Sequence, residues 1–358
     1  GGVQMNNVKV GICGFGAMGS GMAEMLLKKT GVDIVSICDR NEHRVGKDMF
    51  DVLEIEKGDR ASVIITADPE EAFKEKSCDV VLLATDSFTR HAFEKIKFIA
   101  ERKMNVISTA EEMAYPKAQE PELAKEIDKI AKENNITVLG TGINPGFVLD
   151  LLILALTGTC ETVDHIKAAR VNDLSPFGKA VMIEQGVGVT KDEFESGVKD
   201  NSIAGHVGFP ESNMMITDGI GWNLDKVDET REPIMSTVHR ETKYAEVLPG
   251  NVAGCRQCGF GYVDGELKIE MEHPQQILPH LEGQETGDYV WIKGNPNINL
   301  EIKPEIPGGI GTIAMVVNSI PHVMNAHSGL KTMLDIPVPR AIMSDMRNFI
   351  EESSKIVK

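Results

Sequence analysis

Cationic side chains are in short supply: 37 Lys and Arg stand against 54 Asp and Glu in 358 residues, a formal charge of −17. A nucleic acid or an anionic membrane surface would meet net repulsion, so neither is an expected partner and a small molecule is. Cysteine is sparse as well. Cys13, Cys38, Cys78, Cys160, Cys255 and Cys258 are scattered along the chain and outline no disulfide framework. They read as reduced thiols in a cytoplasmic protein, an expectation that agrees with the want of a basic and apolar leader. No apolar run approaches the ~20 residues of a membrane span. The longest, near Phe147 to Leu156, is broken by Asp150. Gly1 to Gln4 precede Met5 and are left out of the fold reading. Internal repeats and low-complexity tracts are missing too. What remains is an ordinary globular composition, 42% hydrophobic and 25% charged, with length for roughly two domains at ~150 residues each.

From Val8 onward, short apolar runs alternate with helical patterns: VKVGICGFG, GSGMAEMLLKK, VDIVSICDR, VVLLAT at 80–85, HAFEKIKFIAERK, NVIST at 105–109, a charged stretch over 120–134, and ITVLGTG at 136–142. Strands apolar on both faces and separated by helices predict a parallel sheet covered on each side, a doubly wound α/β fold. The charged stretch fits a solvated helix face. After Asn144-Pro145-Gly146 the rhythm changes. Val163 to Val171 reads as a strand, Met214 and Met215 as packed helix residues, and Asp264-Gly265 as a two-residue hairpin turn between GCRQCGFGYV and ELKIEME. Gly294 to Asn297 separates YVWIK from INLEIK, again antiparallel. An apolar helix is expected at about 311–326, and an amphipathic one over the last ~20 residues that packs back on the first domain. The expected organisation is therefore an α/β, Rossmann-type dinucleotide-binding domain over 5–150 plus 310–358. An inserted α+β mixed-sheet domain, for substrate and dimerisation, spans 151–309.

Gly14-Phe15-Gly16-Ala17-Met18-Gly19 follows the first strand and opens the first helix. In that context Gly14 serves the tight turn, Gly16 lets the main chain approach a pyrophosphate, and Gly19 permits close helix–sheet packing; the helix N-terminus supplies N–H donors. Asp39 closes the second strand about 20 residues further on, where a carboxylate accepts bonds from a ribose. Arg40 directly after it suits a 2′-phosphate or stacks on adenine, so either NAD or NADP fits. Ligands of such sheets sit beyond the carboxyl ends of the strands. That selects Ala84, Thr85 and Ser87 after the fourth strand and Thr109, Ala110 and Glu111 after the fifth. After the sixth it selects Asn144, Pro145, Gly146 and Phe147.

GFGAMG, VLLATDSF, NVISTAEEM and above all GTGINPGFVLD resemble the dihydrodipicolinate reductase-like dehydrogenases. The later runs GHVGFPESNMMITDGIGW, VHRETKYAEV, GNPNINLEIKPEIPGGIGTIAMVVNSIPHV and LDIPVPRAI extend the likeness over most of the chain. Within that family the likeness is to a branch of amino-acid fermentation. It implies oxidative deamination of 2,4-diaminopentanoate: hydride leaves the amine-bearing C4 for nicotinamide, and water releases 2-amino-4-oxopentanoate and ammonia. The HHxxKxDAPSGT type of signature is absent, so reduction of dihydrodipicolinate is not expected. The alternatives are another amino-acid or semialdehyde dehydrogenase of this fold, diaminopimelate or homoserine type, and a dinucleotide sensor without turnover.

Such chemistry needs a group that takes a proton from the amine and activates water. Glu211, His206 and Asp150 are the candidates. His322 is a further candidate for this role or for a substrate contact, and Asn144 for a contact with cofactor or substrate. A substrate carboxylate needs a cationic or N–H-rich receptor, for which Arg170, Lys179 and Arg240 are available. Each has a plainer reading: Asp150 and Glu211 can serve helix N-termini, and the histidines can be satisfied core residues. Cys255-x-x-Cys258 lacks a second ligand pair, so no metal is expected. Two-fold homodimers are the commonest soluble assembly, and a β-rich second domain suits one.

Overall fold

The computed structural model describes residues 6–351, and along them the elements begin with β1 (Val8–Cys13), α1 (Ala17–Leu27), β2 (Val32–Cys38), α2 (Met49–Leu53), β3 (Ile65–Thr66), α3 (Pro69–Ala72), β4 (Val80–Leu83), α4 (Thr89–Glu101), β5 (Asn105–Ser108), α5 (Pro121–Glu133) and β6 (Thr137–Gly140). There follow α6 (Leu151–Thr157), β7 (Thr162–Asp173), α7 (Lys179–Glu184), α8 (Lys191–Asp200), α9 (Phe209–Ile220), β8 (Leu224–Met235), β9 (Arg240–Glu241), β10 (Glu246–Val247), β11 (Val252–Val263), β12 (Glu266–Gln276), β13 (Gly287–Asn295), β14 (Ile298–Ile302), α10 (Gly308–Asn325) and β15 (Gly329–Lys331). The chain divides into two compact units, one made of residues up to Gly146 and from Gly308 onward, the other of Phe147–Pro307.

The first unit is built on a parallel seven-stranded sheet in the order β3-β2-β1-β4-β5-β6-β15. The first six follow the doubly wound order, with the chain reversing direction of growth between β1 and β4. Central strands β4 and β5 are buried at every position, the signature of a sheet covered on both faces. Helix α5 presents its charged residues to solvent and buries Ala124, Ile127, Ile130 and Ala131, three and four residues apart.

The C-terminal segment departs from expectation. Ile342, Met346 and Ile350 are buried at helical spacing, but the only helical turn described there is a 3-10 turn over Met346–Phe349. Pro337 and Pro339 restrict the approach, and the main chain makes its bonds elsewhere: Lys29 Nζ donates to the Ile342 carbonyl at 2.7 Å, and the Met346 N–H to Thr30 at 2.9 Å. The segment thus packs on the first unit without being a helix. Residues 352–358, which the expected helix included, and Gly1 to Gln4 lie outside the described residues.

The second unit holds a six-stranded mixed sheet, β14-β13-β7-β12-β11-β8, antiparallel except for the β7–β12 pair. Val263 pairs with Glu266 across Asp264 (φ 53°) and Gly265 (φ 75°), the two left-handed residues of a tight hairpin. Strand β11 alternates by function. Gln257, Gly259 and Gly261 share one face, and a Cβ on Gly259 or Gly261 would meet Phe209 at 2.9 Å or Asn213 Oδ1 at 2.2 Å. Missing side chains on that face let α9 lie against the strand.

Candidate active site

The glycine turn is shaped as its sequence dictates. Gly14 has φ +90°, and a Cβ there would meet the Ala84 carbonyl at 2.8 Å; a Cβ on Gly19 would meet the Gly14 carbonyl oxygen at 1.9 Å. A Cβ added at Gly16 would meet nothing within 4 Å. The turn is packed tight behind and open in front, the form that lets a diphosphate reach the main-chain N–H groups. Beside it, Asp39 accepts from the Phe15 N–H and, at 2.7 Å, from the Asn41 N–H, with the Arg44 guanidinium 3.6 Å away. Arg40 is exposed. The carboxylate therefore braces the turn.

The strand ends beyond β4, β5 and β6 are laced together. Thr85 and Asp86 share the Lys95 ammonium at 3.0 and 2.8 Å; the Ala110 N–H donates to Ser108 Oγ, and the Glu112 N–H to the Ser87 carbonyl at 3.1 Å. Thr109 N–H reaches back to Leu83, and Glu111 opens the next 3-10 turn, half-buried. Past β6, the Ile143 N–H donates to Thr312 Oγ1 at 3.2 Å, and Gly146 (φ +130°) leaves no room for a Cβ against Gly142. Phe147 begins the second unit. Here the unsatisfied groups appear. Both amide atoms of Asn144 and the Thr141 hydroxyl are buried without a hydrogen-bond partner. Buried polar atoms left unpaired cost about 1–3 kcal/mol each, so three at one strand end make it the candidate position for a polar ligand.

The second unit holds the other expected residues. Asp150 caps α6, accepting from the Leu151 N–H at 2.6 Å, and takes the Ser212 hydroxyl at 2.9 Å, tying α6 to α9. Glu211 is fully buried in the first turn of α9. His206 is held through its main chain by Gln257, at 2.7 and 3.0 Å, and its ring stands edge-on to Phe209 and His273. Burial, helped by the Arg170 charge, pushes its pKa down to about 3. It is thus a neutral and weakly basic imidazole. His273 is held well below its ordinary range chiefly by burial, while its Nδ1 meets the Arg170 carbonyl at 2.7 Å.

Two expected carboxylate receptors are committed elsewhere. Arg170 pairs with Asp288 at 2.6 Å and donates to the Ile306 carbonyl. Every nitrogen of the Arg240 guanidinium is engaged, by Ser236, Gln276, the Ile277 carbonyl and Glu282. Of the three cations expected in this unit, Lys179, exposed at the start of α7, has no internal partner among the described residues. His322 is displaced as well. It lines a cavity of about 450 Å³ with His327, Lys331 and Arg340. The Thr137 hydroxyl, at the start of β6, bonds to the His327 carbonyl, so this cavity lies at the amino edge of the sheet, opposite the glycine turn. Cys255 and Cys258 are three apart on one strand and so face opposite ways; no metal-ligand cluster occurs among the described residues.

Ser212, Gln257 and His273 were not singled out from sequence. Their only signal is a polar residue at an inward position of a strand or helix, visible once the facing element is known. Asn172 Oδ1 and Asn213 Oδ1 are further buried acceptors without partners in this unit.

A glycine turn open at Gly16 beside the switch point of a doubly wound sheet, with unsatisfied polar atoms beyond β6, defines a Rossmann-type dehydrogenase. The sequence matches the model of the dihydrodipicolinate reductase N-terminus over residues 8–138 and that of the 2,4-diaminopentanoate dehydrogenase C-terminal domain over residues 147–352. A 2,4-diaminopentanoate dehydrogenase of Acetoanaerobium sticklandii is 60% identical over 99% of this chain and all of its own length. An amine dehydrogenase of Streptomyces virginiae is 26% identical over 87% of this chain and 91% of its own. The structure of an amine dehydrogenase from Mycobacterium smegmatis superposes with a TM-score of 0.84 at 26% identity, covering 95% of this chain and 98% of that one. The chain belongs to the 2,4-diaminopentanoate dehydrogenase family. Among the described residues, no helix is long and apolar enough to cross a membrane.

Proposed function

We propose that the protein oxidises the C4 amine of 2,4-diaminopentanoate with NAD or NADP, giving 2-amino-4-oxopentanoate and ammonia. The observation that carries this is the 60% identity with a 2,4-diaminopentanoate dehydrogenase along the whole chain, through the second unit as well as the first. Nicotinamide, when bound, supplies the hydride acceptor. The chain's residues do the rest. The glycine turn and Asp39 hold the diphosphate and the ribose, and Thr141 and Asn144 orient a polar group at the end of β6. Lys179 offers a charge to the substrate carboxylate.

Proton transfer needs a carboxylate or imidazole near the reacting amine. Asp150 is occupied as a cap and His206 is a weak base, which leaves Glu211 and, at the carboxyl end of β5, Glu111. Glu111→Gln and Glu211→Gln separate them: the base is the one whose loss lowers kcat and removes the acid limb of its pH profile.

The deciding assay is the appearance of reduced cofactor with 2,4-diaminopentanoate, diaminopimelate and homoserine in parallel, with ammonia and the oxo product measured. Turnover of another substrate alone would overturn the assignment, and cofactor binding without any turnover would make the protein a sensor. The same reading includes a homodimer in the cytoplasm. Sedimentation at twice the 39.1 kDa chain mass tests the first part.

A further inference from the structure

Cys13 and Cys38 end the first two strands side by side. They are register partners in the parallel β1–β2 pair, where strands run ~4.8 Å apart, so their side chains leave the sheet on the same face. Both are free thiols. Gly14 directly follows the one and Asp39 the other. The Gly14 N–H donates to the Cys38 carbonyl at 2.8 Å, and the Phe15 N–H to the Asp39 carboxylate, so the thiol pair lies beneath the two segments that form the cofactor cradle.

The two sulfurs differ in character. The neighbouring Cys13 thiol, acting as a donor, holds the Cys38 thiol below its ordinary range and Arg40 assists, against the opposing effect of burial. The same proximity, with burial, drives the Cys13 thiol upward. A thiol of lowered pKa beside a protonated neighbour is the arrangement of an attacking and a resolving cysteine. Cys13 is half-buried, and Cys38 keeps 7% exposure. Cys78, Cys255 and Cys258 are poorer candidates: burial raises all three, Cys255 up to about 12.

We infer that Cys13 and Cys38 form a dithiol that hydrogen peroxide converts to an intramolecular disulfide, and that this disulfide weakens cofactor binding at the glycine turn. The second half rests on the reading of that turn given above. In the first step the Cys38 sulfur attacks peroxide; an S–O bond forms, the O–O bond breaks, and the departing hydroxide takes up a proton as water. In the second, the Cys13 sulfur attacks Cys38. The S–S bond forms, the S–O bond breaks, and hydroxide leaves with the Cys13 proton as a second water. Two electrons pass from the sulfurs to the peroxide. A disulfide wants its Cβ atoms ~3.8 Å apart, so closure draws the strand ends together by about 1 Å and shifts Gly14 and Asp39 with them. A bond strained in this way is readily reduced.

The test treats the whole protein with stoichiometric peroxide, then alkylates and digests it without reductant. Titratable thiols should fall from six to four, with peptides carrying Cys13 and Cys38 linked and two hydrogens lighter. The Kd for NADH or NADPH should rise about tenfold or more, returning with dithiothreitol. Cys38→Ser, or Cys13→Ser should that variant fail to fold, should keep its Kd through peroxide treatment; in Cys13→Ser, dimedone should trap Cys38 as the sulfenic acid. Six thiols persisting, or thiol loss without the linked peptide, as from Cys160 alone, would overturn the dithiol. A linked peptide with unchanged Kd would overturn the coupling. If the reduced protein bound neither cofactor, the reading of the glycine turn would fail instead, and the thiol count would still decide the dithiol.

Discussion

Gly16→Ala separates the fold from its function. Gly16 stands at φ −75°, ψ −158°, a conformation open to alanine, and the added carbon would touch nothing within 4 Å. Folding stability should therefore change by no more than about 0.5 kcal/mol. The methyl nevertheless projects about 1.5 Å from Cα into the space in front of the turn. A phosphate oxygen needs to come within ~2.9 Å of a main-chain nitrogen there. Losing one such bond to a charged group costs about 1.5–3 kcal/mol, or roughly 10- to 150-fold in Kd. Gly19→Ala is the control in the other direction, because its Cβ would fall 1.9 Å from a main-chain oxygen that no rotamer change can move. It should lose both stability and affinity. Fluorescence titration with reduced cofactor, alongside urea unfolding, reads both quantities. Parental affinity in a folded Gly16→Ala protein would refute the idea that the opening seats a diphosphate.

Asn144→Ala should leave the melting temperature unchanged or higher, since it removes buried polar atoms that lack partners, while kcat/KM falls at least tenfold; calorimetry and steady-state kinetics check the pair. His206 and His273 have folded pKa values below the unfolded ~6.5, so the unfolded chain binds more protons as pH drops, and stability is full above that value and lost beneath it. Urea unfolding should show a loss of up to about 2 kcal/mol per histidine between pH 6.5 and 5, and His206→Gln should remove about half of it. Arg240→Met, which strips buried Gln276 and the Ile277 carbonyl of their donor, should cost about 3–5 kcal/mol in the same measurement.

The first unit was legible because its signals are local. Apolar runs, a glycine turn and a carboxylate at a fixed offset lie within one βαβ stretch, and Asn144 stood out because an amide before Pro-Gly cannot continue a strand. The arginines were not legible. Arg170 finds Asp288 and Arg240 finds Glu282 across distant parts of the sequence, and nothing beside either residue says that its charge is spent internally. The C-terminal segment shows a subtler failure. An amphipathic helix was expected there, but the buried Ile342, Met346 and Ile350 sit on an irregular chain pinned through its main-chain bonds to Lys29 and Thr30. Periodicity reports which side chains are covered, and prolines decide whether a helix does the covering.

Strand β8 forms one margin of the mixed sheet and runs for 12 residues, long enough to template aggregation by adding a neighbouring chain. Asp225, Lys226, Asp228, Glu229, Arg231 and Glu232 stud it, and Pro233 removes one N–H. Continuation of the sheet into another molecule would bring this charge out of water and forfeit a rung of the ladder. The edge is thereby guarded against open-ended fibre growth.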